Sequence, residues 1–135
     1  MGCGCSVCLS TNPRNKRLRA SAIVGLPEGN LLIDTTPDLR TQFLREGLGV
    51  AHAVVYTHEH ADHLFGLDDL RLFAYYIDGP VPLYCEPNVE RRIRHSYDYA
   101  FSNGPQTHSG AVPRLEIRTI GLEPFDVLGS SVHPL

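Results

Sequence analysis

The chain has 135 residues, of which 42% are hydrophobic and 20% are charged, and its formal net charge is −3 at pH 7. This composition is typical of a single soluble domain that can bury a core. No apolar stretch is long enough to cross a bilayer and no secretory signal is recognisable, so we expect a cytoplasmic protein. A charge this close to neutral gives no support for nucleic-acid binding through bulk charge.

Spacing patterns in the first part of the chain predict a β-hairpin followed by a helix. Residues 21–24 and 31–33 are predicted strands, joined by the turn-forming residues 25–30. Thr36 is suited to cap a helix that ends at Gly47. That helix is expected to bury Leu39, Phe43 and Leu44.

The middle of the chain alternates predicted strands and helices. Short apolar strands are expected at 53–56 and 81–85, and helical spacing covers 64–75. The apolar stripe of this helix consists of Leu67, Leu70, Phe73 and Ala74. Asn88 can cap a further helix. Its buried face is expected to contain Val89, Ile93 and Tyr97.

The last part is predicted to contain a loop over 102–113 and a strand over 115–119. Cys85 is expected to be a small buried side chain. The order of elements predicts an α/β layered domain over residues 21–135, with no repeat and no linker. Residues 1–20 form a separate segment that contains cysteines and then basic residues.

The sequence HEHADH at residues 58–63 is the most specific motif of the chain. It places four metal-seeking side chains, His58, His60, Asp62 and His63, directly after a predicted buried strand. Alternate residues of an extended segment project to one side, so His58 and His60 can bind one cation. Asp62 and His63 lie further round the turn and more naturally reach a second cation.

A pair of metal ions favours hydrolysis as the reaction class. Two cations about 3.5 to 4 Å apart can share a water molecule and lower its pKa to near 7. Imidazole and carboxylate ligands suit zinc, with manganese or iron as substitutes.

With this motif the chain resembles the metallo-β-lactamase-fold hydrolases, whose signature is H-x-H-x-D-H after a buried strand. The resemblance implies an αββα sandwich, of which this chain holds roughly the amino-terminal half. It also implies that His58 and His60 bind the first metal, and that Asp62 and His63 bind the second. Asp62 would thereby also be a catalytic residue.

Residues 31–36 look like the strand that precedes the metal loop in this family, with its terminal Asp behind the loop. The resemblance therefore implies a catalytic supporting role for Asp34. Its carboxylate would accept a hydrogen bond from a ligand histidine or from the loop backbone and fix the ligand's orientation. The alternative is an Asp that only helps to start the next helix.

Cys3, Cys5 and Cys8 form a compact C-x-C-x-x-C set, which can hold a structural zinc once a fourth ligand joins it. The same arrangement is found in one branch of the family, the phosphodiesterases that act on phosphoribosyl cyclic phosphate. Similarity to that branch implies a small phosphodiester substrate and a fourth ligand from a distant carboxyl-terminal histidine.

Two other interpretations of these cysteines stay open. Residues 1–6, MGCGCS, fit a myristoylation pattern with Cys3 and Cys5 open to palmitoylation, which would anchor the protein to a membrane. A disulfide is the least favoured, because the cysteines are too close in sequence to close a useful loop. The basic residues that follow, Arg14, Lys16, Arg17 and Arg19, suit a solvated loop, with contact to a substrate phosphate as the alternative.

The family uses three further metal ligands that this chain does not visibly contain. His133 is the only late histidine. In the similar branch a comparable stretch comes just before the third histidine ligand, so we expect His133 to precede that ligand. We expect the remaining ligands beyond residue 135, Met1 to be internal to a longer chain, and this chain alone to be weak or inactive.

The sequence thus predicts a metal-dependent hydrolase, preferably a phosphodiesterase, that uses a hydroxide held between two metal ions. Two catalytic zinc ions and one structural zinc ion are expected. The alternatives are a non-catalytic zinc-binding or interaction module and a lipid-anchored protein. A homodimer stays open as the assembly state.

Overall fold

The structure is a computed structural model and describes residues 2–102, 108 and 110–134. Its main sheet has five strands in the order β1-β2-β3-β4-β5. These strands are Ala22–Leu26, Gly29–Ile33, Ala53–Val55, Val81–Cys85 and Leu115–Thr119. β1 runs antiparallel to β2, and each later strand runs parallel to its neighbour. The predicted α/β fold is confirmed.

Helical segments connect the parallel strands. The α-helices of the described residues are α1 (Leu39–Glu46), α2 (Ala61–Leu64), α3 (Phe73–Tyr76) and α4 (Pro87–Ser96). Short 3-10 turns occupy Pro13–Asn15, Leu67–Leu72 and Asp98–Ala100.

The pleat of the sheet divides the side chains of each strand between two hydrophobic clusters. Leu32 and Val54 belong to the larger cluster, which the helices cover. Their neighbours Leu31 and Ala53 belong to the second cluster, on the other face. All four side chains are at most 3% exposed. Because both faces are covered, these strands have continuous apolar sequences without polar alternation.

A two-stranded sheet covers the second face. β6 (Phe125–Val127) and β7 (Ser130–Val132) form an antiparallel hairpin whose Val127 packs in the second cluster. The two turn residues, Leu128 and Gly129, have φ angles of 49° and 74°, as in the tight turns that match strand twist. The layers are therefore helices, sheet and sheet, which are three of the four layers of the expected αββα sandwich.

The first predicted helix is present, but the predicted burial of one of its side chains is wrong. Leu39 and Phe43 are buried as expected, whereas Leu44 is 69% exposed. Leu39 and Phe43 are four residues apart and share a face, while Leu44 lies about 100° further round the helix. The Thr36 hydroxyl accepts a hydrogen bond from the Asp38 N–H and so caps the turn just before α1.

The predicted cap of the last helix is wrong. α4 begins at Pro87, with Glu86 at the cap position and no side-chain cap hydrogen bond. Asn88 lies inside the helix, and its side chain donates to the Glu59 carboxylate at 3.0 Å. The helix instead begins at Pro87, which has the backbone angle of a first helical residue. The predicted buried face is correct, since Val89, Ile93 and Tyr97 are all buried.

The helix predicted over 64–75 is interrupted. α2 ends at Leu64, and the chain passes Gly66 before the 3-10 turn and α3 begin. A methyl group on Gly66 would collide with the backbone carbonyl of Thr36, so the chain packs closely against the end of β2 here. The predicted apolar stripe is nevertheless buried, at Leu67, Leu70, Phe73 and Ala74.

Two further predictions concern the second half of the chain. Cys85 is fully buried, as expected. Most of the predicted loop over 102–113 lies outside the described residues, which omit 103–107 and 109. In the part of the chain that the structure describes, no helix has the length and hydropathy required to cross a membrane.

Substitution of Gly66→Ala is expected to lower the free energy of unfolding by about 1–3 kcal/mol, because the added methyl group collides with the Thr36 carbonyl. Urea denaturation would measure this change. Gly121→Ala is the matched control, because no atom lies within 4 Å of the added methyl group. Equal destabilisation of the two variants would contradict the close packing of Gly66.

Candidate metal centre

The candidate centre lies where three parallel strands end. β2, β3 and β4 run in the same direction, so the residues that follow them meet at one edge of the sheet. Asp34 follows β2, the HEHADH segment follows β3, and α4 follows β4. Ligand sites are commonly built at such edges.

Asp34 leaves β2 with a left-handed backbone, with a φ angle of 61°. Asp tolerates this conformation better than most residues. Its backbone N–H donates to the Val55 carbonyl, and its carboxylate is only 4% exposed. The chain reversal thus places an acidic side chain beneath the loop that follows β3.

The Asp34 carboxylate accepts three hydrogen bonds from this loop. Oδ1 accepts from the Thr57 backbone N–H at 2.8 Å. Oδ2 accepts from the Thr57 hydroxyl and from Nδ1 of His63, each at 2.7 Å. The hydrogen bonds expected of Asp34, to a histidine and to the loop backbone, are therefore present. The catalytic role of Asp34 stays a prediction.

These hydrogen bonds determine which ring nitrogen carries the proton in His58 and in His63. A carboxylate only accepts, so Nδ1 of His63 donates to Asp34 and Nε2 has the free lone pair. The Thr57 hydroxyl gives its proton to Asp34, so at 2.9 Å it accepts from Nδ1 of His58. His58 and His63 therefore both present Nε2 as a possible metal ligand.

A second set of buried hydrogen bonds ties the end of β2 to α2. The Thr35 hydroxyl donates to the Leu64 carbonyl at 3.0 Å and therefore accepts from the Tyr56 hydroxyl at 2.9 Å. Burial raises the pKa of Tyr56 well above its usual range, so the phenol keeps this proton. The Thr35 N–H donates to the His63 carbonyl at 2.8 Å. The backbone of α2 is thus held against β2.

Asp62 and His63 already have the separation of two ligands on one ion. Asp62 Oδ2 and His63 Nε2 are 3.5 Å apart. Two atoms bound at about 2.1 Å with tetrahedral angles are about 3.4 Å apart. Both atoms offer lone pairs, so a cation between them satisfies both. The donor pair fits a metal ion of the zinc type.

The His58 ring lies close to the rings of both other histidines of the motif. The His58 ring is centred 4.1 Å from the His63 ring and 4.6 Å from the His60 ring. His60 precedes α2 and is exposed, while Asp62 and His63 occupy the first turn of that helix. The four predicted ligands are therefore neighbours, but no three of their ligand atoms lie within 4.8 Å of one another. Asp62 and His63 are helical residues and not part of an extended loop.

The cysteines form a separate group at the amino end. Cys3, Cys5 and Cys8 are exposed, and their sulfur atoms all lie within 4.8 Å of one another. Among residues 2–102, 108 and 110–134, this is the one group of three or more possible ligand atoms that lie so close. Sulfur atoms on one zinc ion are about 3.8 Å apart, so small side-chain rotations suffice.

A turn prepares Cys5 for metal binding. The Leu9 N–H donates to the Cys5 carbonyl at 3.0 Å, which closes the turn. The backbone N–H of Cys8, with help from the Cys3 and Cys8 side chains, lowers the pKa of Cys5 to about 7. Thiolate is the form that binds metal, so Cys5 is ready at neutral pH. Hydrogen bonds to Cys3 and Cys5 raise the pKa of Cys8.

The structure also places His133 and the basic run of the amino-terminal segment. His133 follows β7, is exposed, and belongs to no group of three close ligand atoms among the described residues. In the basic run, Arg19 pairs with Asp38 at 3.1 Å and Lys16 donates to the Cys8 carbonyl at 2.9 Å. These two cations therefore brace the amino segment. Contact of the basic run with a substrate phosphate stays a prediction.

Thr57 and Thr35 are the residues that sequence reasoning missed. Each is a hydroxyl residue two positions after the last residue of a strand at the site edge. Thr residues are common at strand ends, so the pattern alone does not distinguish them. For Thr57 the usable signal is its position between a buried strand and His58, and for Thr35 it is the position directly after Asp34.

Replacement of Asp34→Ala is expected to reduce the free energy of unfolding by about 1–3 kcal/mol, because the part-buried donors of Thr57 and His63 lose their acceptor. Asp34→Asn should cost less, since Asn keeps one acceptor oxygen and tolerates positive φ. Asp62→Ala is the control, because the Asp62 side chain is 58% exposed. Chemical denaturation in the absence of metal would rank the three variants, and an unchanged Asp34→Ala protein would contradict the network.

In the metal-free reduced protein, three thiols should react with iodoacetamide and Cys85 should react only after unfolding, since burial raises its pKa to about 11. The alkylation rate at Cys5 should rise with pH and reach half of its plateau near pH 7, because a lowered pKa makes thiolate available earlier. Peptide mapping by mass spectrometry measures each site. A half-plateau near pH 9 would contradict the turn described above.

Comparisons with known proteins place this geometry in a family. Residues 29–133 match the family described as beta-lactamase superfamily domain. A diphosphatase of the PhnP family has 39% sequence identity and a TM-score of 0.85, with 99% of this chain and 49% of that one covered. Zinc-bound PqqB from Methylobacterium extorquens has 26% identity and a TM-score of 0.69, with 98% and 48% covered.

A curated relative is the octanoyltransferase of Porphyromonas gingivalis (strain ATCC BAA-308 / W83), 37% identical over 136 residues. The match covers all of this chain and 27% of that protein. The chain thus spans about a quarter of this relative and about half of the two solved structures. The family match covers most of the chain, and the chain therefore belongs to the beta-lactamase superfamily domain family and has the metallo-β-lactamase fold.

Proposed function

We propose that this chain provides the first part of a metal-dependent hydrolase centre that acts on phosphodiester or phosphoanhydride bonds. The observation that carries the proposal is the Asp34–Thr57 network, which turns Nε2 of both His58 and His63 into free ligands. A buried carboxylate that orients imidazoles through their other nitrogen is typical of metal sites.

The proposed roles divide the HEHADH residues between two ions. His58 and His60 would hold one ion, and Asp62 and His63 would hold the other. The ions would supply an acidified water and would neutralise charge on the reacting phosphorus group. Asp34 would keep the histidines oriented and is a positioning residue. Zinc is the proposed metal, with manganese or iron as substitutes.

The substrate class is supported by two features. The structural relative with 39% identity is a diphosphatase, so hydrolysis of a phosphorus–oxygen bond is the activity to carry over. The cysteine set also resembles that of the phosphodiesterase branch. We propose that Cys3, Cys5 and Cys8 hold a structural zinc, because their sulfur atoms already lie within 4.8 Å. The match to the octanoyltransferase covers only 27% of that protein, so acyl transfer is not proposed for this chain.

A non-catalytic zinc-binding module is the second candidate. The observation that favours it is that the cysteines, and not the HEHADH residues, form the close group of three ligand atoms in the described chain. Lipid anchoring through Gly2 and the cysteines stays a prediction from the sequence. Met1, on which that pattern depends, lies outside the described residues.

Zinc stoichiometry and turnover test the proposal together. We expect Asp62→Asn to lose the metal of the HEHADH site and keep the cysteine zinc, and Cys5→Ser to do the reverse. The metal-loaded chain should slowly hydrolyse bis(p-nitrophenyl) phosphate, and Asp62→Asn should abolish this turnover. Asp34→Asn should weaken metal binding at the HEHADH site by about 10- to 100-fold.

Asp98→Asn is the control, since Asp98 is an exposed acid outside the candidate centre. Zinc bound only at the cysteines, with no metal bound at the HEHADH site, would favour the binding module and contradict the hydrolase. Turnover that is the same in Asp62→Asn and in the unchanged chain would show that the HEHADH segment is not the catalytic centre.

A further inference from the structure

One face of α4 carries polar side chains beside the candidate centre. Asn88, Arg91, Arg92 and His95 recur at i, i+3, i+4 and i+7, which places them on one side of the helix. The opposite side holds Val89 and the other apolar residues that anchor α4 in the core. The spacing therefore fixes which side chains face away from the core.

These four residues and Glu59 of the HEHADH segment line a pocket of about 290 Å³. The Asn88 amide joins the two walls by donating to Glu59 Oε2 at 3.0 Å. The pocket thus has one wall on α4 and the other on the loop that carries the predicted ligands. Its volume is near the lower end for small-molecule sites.

The two arginine side chains of this pocket make no ion pair with the described residues. Neither Arg91 nor Arg92 has an ion pair or a hydrogen bond to another described side chain, and both are exposed. Arg94 on the same helix is different, because it pairs with Glu90 at 2.8 Å and lies over the Phe101 ring at 4.8 Å. The pocket therefore contains two available guanidinium groups and one imidazole against a single carboxylate.

We propose that this pocket, termed the α4 pocket, binds a phosphate group that the organic substrate carries apart from the bond that is hydrolysed. Guanidinium groups bind phosphate oxygens with two parallel hydrogen bonds, which gives both strength and orientation. Arg91 and Arg92 would hold the phosphate. That the bound molecule is the substrate rests on the proposed function. That the pocket binds an organic phosphate rests only on the residues that line it.

Glu59 indicates that the ligand is an organic phosphate and not a free anion. A carboxylate repels phosphate but accepts hydrogen bonds from hydroxyl groups. Asn88 engages Oε2 of Glu59, and the second oxygen is available to a ligand hydroxyl. A molecule with a phosphate next to hydroxyl groups can bind Arg91 and Arg92 through the phosphate and Glu59 through a hydroxyl group.

Calorimetric titration of the metal-free chain with glycerol 3-phosphate tests the site without any turnover. The double variant Arg91→Ala with Arg92→Ala should bind about tenfold more weakly or worse, since each charged hydrogen bond is strong. Arg91→Lys with Arg92→Lys should retain part of the affinity, because it keeps the charge and loses the planar fork. Arg40→Ala on α1 is the matched control, an exposed arginine on another helix, and should leave binding unchanged.

Inorganic phosphate is the second probe and should bind several-fold more weakly than glycerol 3-phosphate. Glu59→Gln should reduce the difference in affinity between inorganic phosphate and glycerol 3-phosphate, because it removes the repulsion between the Glu59 carboxylate and the phosphate. Equal affinity of the double alanine variant and the unchanged chain would overturn the α4 pocket, and so would inorganic phosphate that binds as tightly as glycerol 3-phosphate. Binding through Arg91 and Arg92 in a chain whose HEHADH site binds no metal would contradict the proposed function and support the pocket.

Discussion

The candidate centre depends on one buried carboxylate and the three hydrogen bonds that it accepts. Asp34 reverses the chain direction at the end of β2 and holds both Thr57 and His63. Through Thr57 the same carboxylate also determines the proton position on His58. A buried acceptor with three donors leaves little freedom, because each lost partner exposes an unpaired polar group to the interior. The histidines are therefore oriented before any metal arrives.

The parallel arrangement of the strands explains why these groups meet. β2, β3 and β4 deliver Asp34, the HEHADH segment and α4 to the same edge, although they are far apart in sequence. The same edge places Asn88 against Glu59, so the proposed metal site and the α4 pocket share a wall. Behind that edge the central strands are covered by helices on one face and by the β6–β7 hairpin on the other. Rigid support of this kind allows a site to be held on a loop.

The cysteines of the amino-terminal segment are brought together by local structure and not by the sheet. Their three sulfur atoms come together through a short turn at Cys5–Leu9, without help from the sheet. Such a site depends on local geometry and on thiolate chemistry, and the lowered pKa of Cys5 arises from a neighbouring backbone N–H. Lys16 stabilises the segment internally by donating to the Cys8 carbonyl, and Arg19 connects it to the rest of the molecule through Asp38.

The sequence by itself determined the features that depend on local spacing: the strand and helix order, the apolar stripe of Leu67, Leu70, Phe73 and Ala74, the cysteine set and the HEHADH residues. It placed Leu44 wrongly because packing decides which side of α1 is buried. It placed the cap of α4 wrongly because Pro87, and not Asn88, marks where the helix begins. Only the tertiary structure decided the break at Gly66, the partners of Asp34 and the open guanidinium groups of Arg91 and Arg92. Each of these depends on contacts between residues that are distant along the chain, which periodicity does not encode.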